Sequence, residues 1–95
     1  MEVVIPETIR VGGLNYRVEI VDDLEDDDAC AKTHYNKTTI KIERAGKDFM
    51  QQVFLHELMH TVNSEWEEER VEFMAMALFQ IIRDNPGLFQ EVQNT

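Results

Sequence analysis

The apolar residues of this chain change their spacing half-way along, and that change limits the folds the chain can adopt. In residues 14–21 and 38–43, apolar and polar side chains alternate. A period of two is typical of strands that bury one face. In residues 50–62 and 71–82, apolar side chains recur three and four positions apart, which is typical of amphipathic helices. A sheet followed by helices predicts an α+β fold.

The first half predicts a small, twisted and mostly antiparallel sheet. Two glycines at 12–13 separate two strand-like segments, so they predict a hairpin turn. Two further short strands are predicted at 31–35 and 38–43. The second of these is rich in β-branched residues, which favour extended structure.

The second half predicts two helices. Asp48 followed by Gln51 resembles a capping box, so we expect Asp48 to be the N-cap of the first helix. Asn63 is a plausible end for that helix. The second helix is predicted from about residue 67 to 83, because the proline at 86 cannot continue it. We expect Val71, Met74, Ala75, Leu78, Ile81 and Ile82 to share its buried side.

The length of the chain predicts one small domain, spanning residues 1–95. Domains of this size often need an extra stabilising element, and a bound metal ion is one choice. The single cysteine, Cys30, allows no internal disulfide, which favours a reducing compartment. We see neither a signal peptide nor an apolar stretch near the roughly 18 residues of a membrane span. The expected location is the cytoplasm.

The formal net charge of −10 argues against two classes of partner. Such an acidic chain repels nucleic-acid phosphates and anionic membranes, so we expect neither as a partner. Residues 22–28 hold six acidic side chains but lack the ligand spacing and central glycine of an EF-hand. They predict a solvated loop.

The strongest chemical signal is the HExxH motif formed by His56, Glu57 and His60. Residues four apart project from one face of a helix, so both imidazoles can bind the same cation. Glu57 lies about 100° around the helix from His56. Its carboxylate therefore lies beside the metal, where it can accept a proton from an activated water. The motif predicts a Zn²⁺ site with Glu57 as the catalytic base.

Two histidines are fewer ligands than a catalytic zinc ion usually has, so a third is expected. The glycine and third histidine of a metzincin do not follow His60. Glu72 is the first choice, because it borders the buried side of the second helix. Glu68, one turn earlier, is the alternative and could instead hold an imidazole N–H.

The motif and the following segment, Val71 to Gln80, resemble the gluzincin zinc metallopeptidases, and most closely minigluzincin-like proteins of phages and mobile elements. The resemblance implies a minimal zincin-like domain: sheet, active-site helix, then glutamate helix. It implies His56, His60 and Glu72 as zinc ligands and Glu57 as the base. Larger gluzincins often have an aspartate four residues after the ligand glutamate, where this chain has Met76.

The resemblance implies peptide-bond hydrolysis with a peptide or protein substrate. The strand before the zinc helix is expected to form the rim of the cleft. Its free edge, at Ile40, Lys41 and Ile42, would hold the substrate by strand addition. His34 and Tyr35 are candidates to stabilise the oxyanion, with Arg70 a weaker one.

Two other readings keep the metal. In one, the protein is a catalytically weak or inactive zinc-binding module that holds a peptide or protein and acts in regulation. In the other, a fourth protein ligand, Glu68 or His34, closes the site and makes the zinc structural.

Overall fold

The computed structural model describes residues 5–25 and 29–89 and has an α+β architecture, as predicted. Its elements, in chain order, are strands β1 (Thr8–Val11), β2 (Leu14–Val21), β3 (Ala31–His34) and β4 (Thr39–Glu43), and helices α1 (Lys47–Val62) and α2 (Glu68–Asp84). A single 3₁₀ turn, Tyr35–Lys37, joins β3 to β4.

The four strands form one mixed sheet in the order β1-β2-β4-β3. The predicted hairpin between β1 and β2 is confirmed, and both turn glycines, Gly12 and Gly13, have positive φ, at 57° and 82°. β3 and β4 also pair antiparallel, whereas β2 and β4 pair in parallel. The prediction of a mostly antiparallel sheet therefore holds for the two hairpins. The parallel junction between them depends on contacts distant in sequence, which alternation does not reveal.

The predicted free edge at Ile40, Lys41 and Ile42 is wrong. These residues lie in β4, which has β2 on one side and β3 on the other, so its main chain is paired on both sides. Ile40 and Ile42 have no exposed surface, and Lys41 projects from the opposite face. They form part of the sheet interior, and the edge nearest the helices belongs to β3.

Helix α1 lies between the sheet and α2. Its Phe54 completes the main core, whose other buried members are Tyr16, Val18, Ile40 and Ile42. α1 contacts β3 and β4 on one side and α2 on the other. Since both sides of α1 are covered, the side chains that project between its two neighbours are held firmly.

The helices differ from the prediction in two respects, the buried face of α2 and the first residue of α1. Val71, Ala75 and Phe79 form the buried stripe of α2, while Ile81 and Ile82, near the end of that helix, are exposed. α1 begins at Lys47 with Gly46 as its N-cap, so the prediction that Asp48 is the cap is wrong. Asp48 lies in the first turn instead, where its charge favours the positive end of the helix dipole.

Only part of the predicted acidic loop lies within the described residues. Residues 22–25 are exposed or half-buried, while residues 26–28 lie outside the described part of the chain. In the described ranges, neither helix has the length and apolar character needed to cross a membrane.

Candidate metal centre

The two histidines of the HExxH motif lie one turn apart on α1 and face the same point. Their Nε2 atoms are 3.2 Å apart, and the rings meet edge to face with centroids separated by 4.9 Å. The side chains of His56 and His60 are 21% and 18% exposed. Each ring is therefore held by packing while a nitrogen stays accessible from solvent.

A tight connection brings α2 back against the histidines. The Asn63 N–H ends α1 by donating to the Met59 carbonyl, and the Asn63 side chain accepts from the N–H of Glu65. Trp66 N–H donates to the Asn63 carbonyl, which completes the reversal. The first turn of α2 therefore lies beside the last two turns of α1, and Glu68 is in that first turn.

The carboxylate of Glu68 contacts both imidazoles. Oε1 pairs with His56 Nε2, and Oε2 lies 3.1 Å from His60 Nε2. The Glu68 side chain is 67% exposed, so a hydrogen bond or an ion pair with the histidines would add little stability by itself. All three groups can direct a lone pair at the same space.

Two of the spacings between these atoms fit a tetrahedral cation. Zinc bonds of about 2.0–2.1 Å to nitrogen place neighbouring tetrahedral ligands about 3.3 Å apart. The His56–His60 separation of 3.2 Å and the His60–Glu68 separation of 3.1 Å are close to that value. Two imidazole nitrogens and one carboxylate oxygen also form a donor set that Zn²⁺ accepts. The residues present therefore fit the ion.

Glu57 is the buried member of the group, with 7% of its surface exposed. One of its oxygens and the two imidazole nitrogens all lie within 4.8 Å of one another, so His56, Glu57 and His60 could hold a metal ion. The Thr33 hydroxyl on β3 donates to Glu57 Oε1 at 2.9 Å. One carboxylate oxygen is thereby fixed to the sheet, and the other can accept a proton.

Glu72 lies in the same depression, one turn after Glu68. That depression is lined by Val53, His56, Glu57, Glu68, Glu72 and the main chain before and at the start of β3. Among the described contacts, Glu68 pairs with the imidazoles and Glu72 pairs with neither. Glu72 as a metal ligand stays a prediction, and the geometry favours Glu68.

Tyr35, a candidate oxyanion donor, also lies at the site. Its hydroxyl donates to the His60 carbonyl at 3.3 Å, satisfying one of the last carbonyls of α1. Burial raises the pKa of Tyr35 above its usual 10, and the neighbouring charge of Glu57 raises that pKa further, as do Tyr16 and Glu68. The phenol therefore remains a neutral hydrogen-bond donor beside two carboxylates.

His34, the other candidate, lies on the wrong side of the sheet. Its neighbour Thr33 points toward Glu57, so strand alternation turns His34 to the opposite face. There it lines a shallow depression with Arg17, Glu19 and Lys41. His34 therefore lies away from the candidate metal centre. Neither predicted role, as an oxyanion group or as a fourth ligand, fits this position.

Thr33 is the site residue that the sequence did not reveal. Alternation along residues 31–34 indicates that Thr33 shares a face with Ala31, but it does not show which helix residue lies opposite. The contact joins residues 24 positions apart and depends on how α1 crosses the sheet.

Comparison of the chain with models of known protein families, with curated proteins and with solved structures gives no match.

Proposed function

We propose that this protein is a zinc-dependent metallopeptidase with a minimal zincin-like domain. The proposal depends on one observation, the convergence of His56 Nε2, His60 Nε2 and the Glu68 carboxylate on the same space. Three protein ligands leave a fourth position for water, which is the arrangement of catalytic rather than structural zinc. In support, one oxygen of the buried Glu57 carboxylate lies within 4.8 Å of a nitrogen of each imidazole, close enough to reach a water bound there.

Glu68 is proposed as the third ligand in place of Glu72. A ligand must place an oxygen within bonding distance of the same cation as both imidazoles, and Glu68 already contacts both. Glu72 lies at the wall of the depression, one turn further along α2. Its negative charge there would attract a cationic group of the substrate or add to the field at the ion.

When bound, zinc would lower the pKa of a coordinated water and polarise a substrate carbonyl. Glu57 would act as the general base, accepting a proton from the attacking water as the water oxygen bonds to the carbonyl carbon. Glu57 then gives the proton to the amide nitrogen, the C–N bond breaks, and a carboxylic acid and an amine are released. The burial of Glu57 keeps bulk water from competing for this proton, and Thr33 fixes the orientation of the carboxylate.

The outer edge of β3 is the proposed substrate-binding edge. β3 is the last strand of the sheet, and no other strand in residues 5–25 or 29–89 pairs with its outer side. Cys30 and Ala31, at the start of β3, line the depression that also contains His56 and Glu57. An extended peptide added to this edge would therefore run past the metal with its carbonyl groups in register.

A second candidate function is a zinc-dependent peptide-binding module without turnover. The described contacts place two neutral donors at the site, and both are engaged: the Thr33 hydroxyl with Glu57 and the Tyr35 hydroxyl with the His60 carbonyl. A peptidase needs a donor for the developing oxyanion besides the metal in order to reach high rates. If Tyr35 keeps its contact with His60, zinc alone must polarise the carbonyl.

Metal analysis tests whether the protein binds zinc. Protein purified without chelators and dialysed against trace zinc should contain about one zinc per chain. His56→Ala should lower this content to background. A wild-type protein that stays metal-free under these conditions would contradict both candidate functions.

Turnover separates the two candidates. The zinc-loaded wild type should cleave a denatured protein such as reduced casein, and Glu57→Gln should slow cleavage about 10²–10⁴-fold while the zinc content stays unchanged. Glu69→Gln is the matched control, because Glu69 is an exposed glutamate in the first turn of α2, next to the proposed ligand Glu68. Loss of activity in the control as well would point to an effect of charge rather than of the base. Zinc binding without cleavage of a broad peptide library would favour the binding module.

A further inference from the structure

The contact between Thr33 and Glu57 joins two parts of the proposed site that are otherwise separate. Thr33 lies on β3, the strand with the open edge, and Glu57 lies on α1, between the two histidines in sequence. Their hydrogen bond of 2.9 Å is the described side-chain bond between the sheet and the HExxH residues. Both groups are shielded, since Glu57 is buried and Thr33 is half-buried.

The main chain of Thr33 faces outward along the sheet. Glu43 N–H donates to the Cys30 carbonyl at 2.9 Å, so Cys30 and Glu43 form a hydrogen-bonded pair. Antiparallel pairs alternate between bonded and non-bonded, and the register continues with Ala31 opposite Ile42 and Thr33 opposite Ile40. The N–H and C=O groups of Ala31 and Thr33 therefore point away from β4, toward the open edge.

From these two observations we infer that Thr33 is a positioning residue that holds the Glu57 carboxylate in its reactive orientation and ties it to the strand edge where a peptide binds. The inference rests on the proposed peptidase function. Thr33 contacts neither the metal nor the reacting carbonyl and acts through Glu57.

The chemistry of a carboxylate base explains why such a bond matters. A carboxylate on a flexible glutamate side chain has several rotamers, and only those that direct an oxygen at the water can accept its proton. The Thr33 hydroxyl fixes Oε1 and leaves Oε2 available for the proton. A peptide paired with the main chain of Thr33 would hold the same residue from its other side, so substrate and base share one support.

The test uses two substitutions that differ in a single group. Thr33→Val keeps the β-branched shape and removes the hydroxyl, while Thr33→Ser keeps the hydroxyl and removes a methyl group. Thr39→Val is the matched control, because Thr39 is a buried strand threonine whose hydroxyl bonds to the Lys37 carbonyl on the opposite face. Zinc affinity and thermal unfolding of each variant establish that the site is intact.

With casein as substrate, Thr33→Val should lower kcat about 10- to 100-fold, the range for losing a hydrogen bond to a charged group. KM and zinc affinity should change less than about threefold, and Thr33→Ser should retain most of the activity. A merely structural role would instead lower thermal stability and leave kcat of the folded fraction unchanged. Equal kcat in wild type and Thr33→Val, or equal losses in the Val and Ser variants, would overturn the inference.

A binding measurement gives a readout that does not require turnover. Acetohydroxamate chelates zinc and passes a hydrogen bond to a neighbouring carboxylate, so its affinity for the zinc-loaded protein reports the position of Glu57. Calorimetry should show weaker acetohydroxamate binding in Thr33→Val and near-normal binding in Thr33→Ser and Thr39→Val. If the wild type binds zinc but cleaves nothing, the peptidase proposal fails while this measurement still decides the role of Thr33. Unchanged acetohydroxamate affinity in Thr33→Val would show that Thr33 does not position Glu57.

Discussion

The two ends of the α1–α2 helix pair differ in chemistry although the same two helices form both. At one end, His56, His60 and Glu68 converge on one point. At the other end, Phe79, Ile82, Leu88 and Phe89 line an apolar groove between the start of α1 and the end of α2. The groove has the larger apolar surface, and its lining residues include a single carboxylate, Asp48, and no histidine.

The two ends differ in whether their polar groups already have partners. Phe79 is buried, and the Arg83 guanidinium lies over its ring, 5.3 Å from the ring centroid. Asp84 beside it has a pKa below its usual value because Gln80 and Arg83 donate hydrogen bonds to its carboxylate. Arg83 and Asp84 therefore already have partners within their own helix. At the histidine end, two imidazole nitrogens and a carboxylate face one another, and their lone pairs can be shared by one cation.

The largest expected effect is a loss of stability, caused by a substitution in the apolar groove. Phe79→Ala should lower the free energy of unfolding by about 3–5 kcal/mol, since it removes a buried aromatic ring and leaves a cavity. Phe89→Ala should change it by less than about 0.5 kcal/mol, because Phe89 is 93% exposed. Chemical denaturation of both variants measures the difference. A large loss in Phe89→Ala would mean that the groove is covered in solution.

The next effect belongs to the metal end. Outer-sphere partners of metal ligands typically contribute 10- to 100-fold to affinity, so Glu68→Gln, which alters a proposed direct ligand, should weaken zinc binding at least about 100-fold. Glu72→Gln should weaken it less than about fivefold, as expected for a nearby exposed charge. Competition with a chromogenic chelator measures both. The reverse order would restore Glu72 as the third ligand.

Zinc should stabilise the fold by a comparable amount. At a free zinc concentration 100 times Kd, linkage adds about 2.7 kcal/mol to the free energy of unfolding. Thermal unfolding with and without zinc should therefore show a clear rise in Tm that His60→Ala removes. Phe89→Ala should keep the full rise, since its groove lies at the other end of the helices. A rise that survives in His60→Ala would place the metal elsewhere.

The smallest effect is expected from Tyr35. Tyr35→Phe removes one long neutral hydrogen bond, so it should cost about 0.5 kcal/mol or less. Because the folded-state pKa of Tyr35 is raised, its contribution to stability is fully present below pH 10 and is lost as pH rises through that pKa. Wild type should therefore lose stability more steeply than Tyr35→Phe above pH 10, as measured by denaturation at a series of pH values. Parallel pH profiles would contradict this.

Much of the fold could be predicted from local patterns. The hairpin at Gly12–Gly13, the second hairpin and both helices follow from periodicity and turn residues, because these features depend on neighbours in sequence. The neighbour of β4 could not be predicted in the same way. Its pairing with β2 joins segments about twenty residues apart, and that pairing places Ile40 in the interior rather than at an edge.

The site divides along the same line. The sequence alone determined that His56 and His60 share a helix face with Glu57 beside them, because the geometry of one helix fixes these relations. Only the tertiary structure decided that Glu68 meets the imidazoles, because a choice between residues one turn apart depends on the angle of the turn at Asn63. It also decided that Thr33 holds Glu57 and that His34 faces away, since both depend on how α1 crosses the sheet.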